Sequence, residues 1–172
     1  MEAGKNKAIF LDRDGVINRE KGSYISEPED FVINDGIPEA LKILSNSGFI
    51  IIVVTNQGGI ALGHYSLSHV ERLHDILKKE LSAGGVELAE IYYCPHHHTK
   101  GKCLCRKPGS ILLEKAVSRF NIDTTASYMI GDRERDTQAA EAIGIKGILI
   151  KANENIVRHA LKIARGVSQT RS

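Results

Sequence analysis

The run Phe49-Ile50-Ile51-Ile52-Val53-Val54 lies between Gly48 and the polar segment Thr55-Asn56-Gln57-Gly58-Gly59, and it sets the tightest limit on how this chain can fold. An unbroken apolar run rich in branched residues has no polar face to offer water. It reads as a strand buried on both sides, which belongs in a parallel sheet with helices above and below it. The flanking segments supply those helices. Pro38 suits the first turn of a helix over residues 38–47, and Gly48 suits its stop. Ser68 followed by Glu71 has the capping-box pattern of a helix running to about residue 82. Further strands are expected at 7–11, 88–93, 126–130 and 147–150, and further helices at 110–120 and 135–143. Strands alternating with helices imply an α/β fold: a single Rossmann-like domain with a mostly parallel sheet covered by helices on both faces. No repeat, low-complexity linker or second core interrupts the 172 residues, so one domain over 1–172 is expected. The tail, 152–172, repeats Ile156, Val157, Ala160, Leu161 and Ala164 in the manner of a terminal docking helix, with fraying expected over 168–172.

Composition narrows the partners. The net charge of +2 gives no reason to expect nucleic acid or an acidic membrane surface. No apolar stretch is long enough to span a bilayer, and residues 1–7 are polar, unlike a secretory signal. The expectation is a cytoplasmic protein without membrane contact. A monomer is expected too, since no dedicated association element is visible.

The chemistry-bearing residues fall where strands should run out into loops, the edge at which open α/β sheets bind ligands. Asp12-Arg13-Asp14-Gly15 follows the apolar run 8–11. Two carboxylates two apart in an extended segment share a side, and like charges in one place need a cation or a proton. A simple turn would use the same residue types. Thr55 to Gly59 can present hydroxyl, amide and N–H donors to an oxyanion, or can be an ordinary hydrogen-bonded loop. Asp132, after Ile130-Gly131, falls on the same edge as Asp12 and Asp14, whereas Asp136 is placed to cap a helix. Asp12, Asp14 and Asp132 together suit one Mg²⁺ completed by waters and a substrate phosphate. Lys107 and Arg106 add cations before a helix. Both are phosphate ligands or solvated surface residues.

Cys94, His96, Cys103 and Cys105 form a Cys-x-His-x6-Cys-x-Cys constellation. Three thiolates and an imidazole complete a closed tetrahedral Zn²⁺ site of the structural kind, able to order the loop 94–105. Spacing leaves open whether His97 or His98 replaces His96. Reduced surface cysteines beside an incidental histidine run are the competing reading.

The order of these motifs resembles the haloacid dehalogenase-like phosphatases: an Asp-Xaa-Asp-Gly box, a Thr after the second strand, a distal Lys and a late Gly-Asp box. Cys-Pro-His, then Cys-x-Cys-Arg-Lys-Pro, and the stretch Thr55 to Gly63 look like the branch that acts on D-glycero-D-manno-heptose 1,7-bisphosphate and its histidinol-phosphate relatives. Leu62 stands where Arg is common in the heptose enzymes, and the short loop between His96 and Cys103 is closer to the histidinol-phosphate branch. The resemblance implies a phosphatase without a large cap domain, acting on a small phosphorylated sugar. It implies Asp12 as nucleophile and Asp14 as general acid and base, with Asp14 also giving its backbone carbonyl to Mg²⁺. Thr55, Asn56 and Lys107 would stabilise phosphoryl charge. Gln57, Gly58, Arg106 and Arg133 would contact substrate, with Glu20, Gly22 and Tyr24 in one wall. Histidinol phosphate, a DNA 3′-phosphate, and a non-catalytic zinc-bearing interaction module are the alternatives.

Overall fold

The computed structural model describes residues 5–169, with side chains as far as Gly166. Five strands form one sheet: β1 (Lys7–Leu11), β2 (Phe49–Asn56), β3 (Leu88–Cys94), β4 (Tyr128–Gly131) and β5 (Lys146–Leu149), in the order β3-β2-β1-β4-β5. Every neighbouring pair is parallel, so the sheet is wholly rather than mostly parallel. The helices are α1 (Ile37–Asn46), α2 (Leu67–Ala83), α3 (Ile111–Arg119), α4 (Glu134–Glu141) and α5 (Val157–Gln169).

The period of two along the inner strands sorts side chains between the faces. Ile9, Leu11, Ile51 and Val53 pack with Leu41 and Leu44 of α1, Leu73 and Leu77 of α2, and Ala160 and Ile163 of α5. Ala8, Phe10, Ile52 and Val54 pack with Leu113 and Ala116 of α3 and Ala139 and Ala140 of α4. Ile51, Ile52, Val53 and Val54 are at most 1% exposed, so the apolar run is buried on both sides as its composition requires. Each such side chain contributes about 1.5–3 kcal/mol of burial.

Several boundaries differ for local reasons. β2 continues through Thr55 and Asn56, because β3 still pairs with them. α2 is capped by Ser66, not Ser68: the Ser66 backbone is extended, its N–H donates to His69 Nδ1 at 3.3 Å, and Ser68 already lies inside the helix. Ala126 belongs to a short 3₁₀ turn, Thr124–Ala126, ahead of β4. The tail helix docks through Ile156, Ala160 and Ile163, while Leu161 is 39% exposed. α5 runs on to Gln169, and residues 170–172 of the expected frayed end lie outside the described residues. No helix among the described residues is long and apolar enough to cross a membrane.

From β1 the chain adds β2 and β3 on one side, then β4 and β5 on the other. The reversal opens a crevice at the carboxyl ends of β1 and β4, where Asp12 and Asp132 emerge. Asp12 N–H donates to Ile130 O at 3.1 Å, which locks the two strand ends together.

Candidate active site

A cavity of about 460 Å³ lies over these strand ends, with Asp12, Asp14, Thr55, Gly58 and Asp132 among its lining. Of the residues singled out from sequence, Glu20, Gly22, Tyr24, Asn56, Gln57, Arg106 and Arg133 also line it. Lys107 sits beneath, 1% exposed, the opposite of a solvated surface lysine. Its Nζ lies 3.0 Å from Asp12 Oδ1 and 2.7 Å from Asp136 Oδ1, and donates to Val54 O at 2.6 Å.

Asp12 Oδ1 also accepts the Arg13 backbone N–H at 2.7 Å. Burial, reinforced by Asp136 and Asp14 and opposed by Lys107, pushes the Asp12 carboxyl up to about 6. Asp14 is held differently. Arg13 Nη2 donates to both of its oxygens at 2.9 and 3.0 Å, Asn18 Nδ2 to Oδ1 at 3.0 Å, and Gln57 Nε2 to Oδ2 at 2.8 Å. Burial works against the Asp14 charge, but Arg13 and these hydrogen bonds outweigh it and hold the carboxyl below the ordinary carboxylate range. The two directions run opposite to the division implied by the resemblance, with Asp12 ionised and Asp14 protonated.

Carboxylate oxygens of Asp12, Asp132 and Asp136 lie within 4.8 Å of one another. Asp132 Oδ1 is buried with no hydrogen-bond partner, while Oδ2 is 3.2 Å from Arg133 Nε without hydrogen-bond alignment. A buried, unpartnered carboxylate oxygen beside a second carboxylate fits a cation. Asp136 is already engaged by Lys107 and by the Arg133 backbone N–H at 3.1 Å, so Asp12 and Asp132 are the better donors. The Asp14 carboxylate lies outside this cluster, which leaves its backbone carbonyl as its route to a metal.

Asn56 and Gln57 line the cavity, but their amides serve the protein. Asn56 pairs with the Lys107 backbone, donating to its carbonyl at 3.1 Å and accepting its N–H at 3.0 Å. Gln57 Nε2 donates to Asp14 and to Thr55 Oγ1, and its Oε1 accepts the Tyr65 hydroxyl at 2.8 Å. Gly58 allows close approach: a Cβ there would stand 2.9 Å from His97 Cδ2 and 3.0 Å from Arg106 Nη1.

Arg13, Tyr65, His97 and Arg135 lie outside the active-site set expected from sequence. Arg13 is fully buried, and its Nη1 donates to His74 Nε2 at 3.3 Å. Burial and that guanidinium push the His74 imidazole down to about 3, so it accepts as a neutral ring. The placing of Arg13 between two acids was the available signal. Tyr65 reaches the cavity from a segment with no local signal, Arg135 lies three residues beyond Asp132 at the start of α4, and His97, read from sequence only as an alternative zinc ligand, lines the cavity beside the Cys/His cluster.

Cys94, His96, Cys103 and Cys105 converge as well. The Cys94 sulfur lies 3.7 Å from Cys103 Sγ, 3.2 Å from Cys105 Sγ and 3.6 Å from His96 Nδ1. A tetrahedron with Zn–S bonds of about 2.3 Å has S···S edges of about 3.8 Å, close to these spacings. Burial and the neighbouring thiols push the Cys94 thiol up to about 12, a penalty that a bound cation removes. His96 is the imidazole brought to the cluster. His97 Nδ1 instead accepts the Thr99 backbone N–H at 3.3 Å.

The HAD-hydrolase-like family model matches residues 104–166. The chain is 40% identical over 171 residues to the D-glycero-beta-D-manno-heptose-1,7-bisphosphate 7-phosphatase of Pasteurella multocida, covering 95% of this chain and 92% of that one. It is 38% identical over 151 residues to the corresponding alpha-heptose phosphatase of Photorhabdus laumondii, covering 84% and 82%. Among solved structures, the D,D-heptose 1,7-bisphosphate phosphatase of B. bronchiseptica, complexed with magnesium and phosphate, superposes with a TM-score of 0.80 at 28% identity, covering 95% and 97%. Such relationships leave no room for the non-catalytic module. With the fold, the strand-end carboxylates and these relatives in agreement, the chain belongs to the haloacid dehalogenase-like family and is a phosphoric monoester hydrolase.

Proposed function

We propose that the chain is a Mg²⁺-dependent phosphatase that removes the 7-phosphate of D-glycero-D-manno-heptose 1,7-bisphosphate through an aspartyl-phosphate at Asp12. This places it in the making of nucleotide-activated heptose. The observation that carries the reading is the convergence of Asp12, Thr55 and Asp132 on one cavity with Lys107 paired to Asp12 beneath it, in a chain about two-fifths identical to phosphatases named for that substrate.

Asp12 and Asp132, with the Asp14 backbone carbonyl, would hold Mg²⁺, which when bound offsets phosphoryl charge and favours ionised Asp12. Lys107 and the Arg13 N–H fix Asp12 Oδ1, leaving Oδ2 to attack phosphorus. As that bond forms, the bond from phosphorus to the sugar oxygen breaks, and the oxygen takes a proton from Asp14. Water then attacks the acyl phosphate, Asp14 takes the water's proton, and phosphate departs with Asp12 restored. The ionised Asp14 of the resting site suits the second half. An arriving phosphate dianion raises its proton affinity and so loads it for the first. The Thr55 hydroxyl and Lys107 supply fixed positive dipole and charge to the transferring group. Arg106, Arg133 and Arg135 on the cavity lining suit the second phosphate.

Structural Zn²⁺ on Cys94, His96, Cys103 and Cys105 would order the loop that leads directly into Arg106 and Lys107. Cysteines held as zinc ligands rather than disulfides would suit a cytoplasmic setting.

The test is phosphate release from both heptose bisphosphate anomers, histidinol phosphate and a 3′-phosphorylated oligonucleotide. The expected result is one phosphate per heptose bisphosphate and a kcat/KM well above those of the other two compounds. A higher kcat/KM for histidinol phosphate would reassign the substrate.

A further inference from the structure

Asn153 belongs to none of the motifs above, yet it holds together two pieces of the cavity. It lies in the segment between β5 and α5, with φ of +65°, a conformation Asn tolerates better than most residues. Its side chain acts as a surrogate strand edge for Glu20: Oδ1 accepts the Glu20 N–H at 2.7 Å, and Nδ2 donates to the Glu20 carbonyl at 3.0 Å. Its own N–H donates to Gly15 O at 2.7 Å. Gly15 lies directly against the carboxylate of Asp132, where an added Cβ would stand 2.5 Å from Oδ2.

The Glu20 side chain carries the restraint onward. Its Oε1 accepts the Gly22 N–H at 2.7 Å, and its Oε2 lies 3.6 Å from Arg133 Nη2. Glu20, Gly22, Tyr24 and Arg133 form one wall of the cavity. The anchor itself is well held. Glu154 Oε2 accepts the Lys151 N–H at 3.0 Å, and Asn155 Oδ1 accepts the Val157 N–H at 3.0 Å where α5 begins. Asn155 is in turn pressed against Gly36, at the start of α1.

We propose that Asn153 is a positioning residue that sets the Glu20–Tyr24 wall, and through it the affinity of the site for the sugar end of its substrate. The inference rests on the substrate reading above for its kinetic arm only. Asn153 does not face the reacting phosphoryl group, so its loss acts on binding of the distal part of the substrate. It leaves Asp12, Asp14 and Lys107 in place.

The test compares wild type with Asn153→Gly, which keeps the left-handed backbone accessible and removes only the side-chain bonds. Kinetics are measured on heptose bisphosphate and on p-nitrophenyl phosphate, whose flat leaving group has no sugar for the wall to grip. Backbone hydrogen exchange is followed over residues 19–25. The expected result is a KM for the bisphosphate raised about tenfold, the equivalent of roughly one to two net hydrogen bonds. Its kcat and the kcat/KM for p-nitrophenyl phosphate stay within about twofold, and exchange over 19–25 quickens. A proportional fall on both substrates, or an unchanged KM, would overturn the proposal. If wild type hydrolyses p-nitrophenyl phosphate but not the bisphosphate, the substrate reading alone fails. The exchange arm then decides: quickening confined to 19–25 supports Asn153 as the anchor of this wall, and unchanged exchange refutes it.

Discussion

Replacing Asp12 by Asn is expected to abolish turnover and, in EDTA above neutral pH, to make the protein more stable. The reason lies in how Asp12 is buried. Its carboxyl has an ordinary value of 3.8 and stands at about 6 in the folded site, chiefly through desolvation. Between those two values the folded state holds the proton more tightly than the unfolded state. Stability therefore falls as pH rises through this window and reaches its lower plateau above the folded value. Each pK unit is worth about 1.36 kcal/mol, so the shift amounts to about 3 kcal/mol at neutral pH and above. Asn has nearly the same shape and no charge to desolvate, and Lys107 keeps Asp136 as a partner 2.7 Å away. In a chain of this size that difference moves the melting temperature by about 6–12 °C. Burial raises the Asp132 carboxyl as well, which acts in the same direction. The Asp14 shift has the other sign: its stabilisation is present above its ordinary value and is lost only on acidification below it, outside the window. The assay is thermal unfolding of both proteins from about pH 4.5 to 8, in EDTA and in saturating Mg²⁺. The variant should melt higher in EDTA at pH 7.5, and the gap should shrink toward the acid end. Mg²⁺ should raise the wild type more than the variant, because the variant has lost an anionic ligand. A wild type at least as stable as Asp12→Asn in EDTA at pH 7.5 would refute the reasoning.

Other substitutions probe the remaining contacts. Lys107→Met strands Asp12 and Asp136 without their shared cation and should cost about 3–5 kcal/mol of stability, with kcat lowered by at least about a hundredfold; an unaltered denaturant midpoint would count against the buried pairing. Cys103→Ser should lower zinc, measured by metal analysis of untagged protein, from about one per chain toward zero, and full zinc retention would remove Cys103 from the ligand set. Gly15→Ala places a methyl against Asp132 at a backbone φ of +84°, so the Mg²⁺ concentration for half-maximal activity should rise by roughly tenfold if contact and strain together cost about 1–2 kcal/mol.

What could be read in the sequence was whatever depends on short-range pattern. The β2 run announces double-sided burial by having no polar alternation. Asp12 and Asp132 announce themselves by following apolar runs at the same sheet edge, and the Cys/His cluster by its spacing. The rest depends on which segments the fold brings together. Asn56 and Gln57 read as phosphate donors because they follow a strand, and in the fold their side-chain N–H groups donate to the Lys107 carbonyl and to Asp14 and Thr55. Arg13 stands between two acids in sequence, but its burial against His74 appears only once the chain closes over it. The cap of α2 was misplaced by two residues because Ser66 and Ser68 are equally good caps, and only the backbone angles choose between them.

The central position of β1 also bears on how this enzyme is made. The strand that carries Asp12 has two neighbours, and one of them, β4, begins only at Tyr128. During synthesis its N–H and C=O groups on that side wait for a partner until most of the chain has left the ribosome. An apolar strand with an open edge invites pairing with other chains. Such long-range closure is slow, because a large loop must be ordered before any contact rewards it. Asp132, at the end of the same strand, arrives with it. The event that seals the sheet is therefore the one that completes the carboxylate cluster, so a half-folded chain with an exposed edge has no competent site.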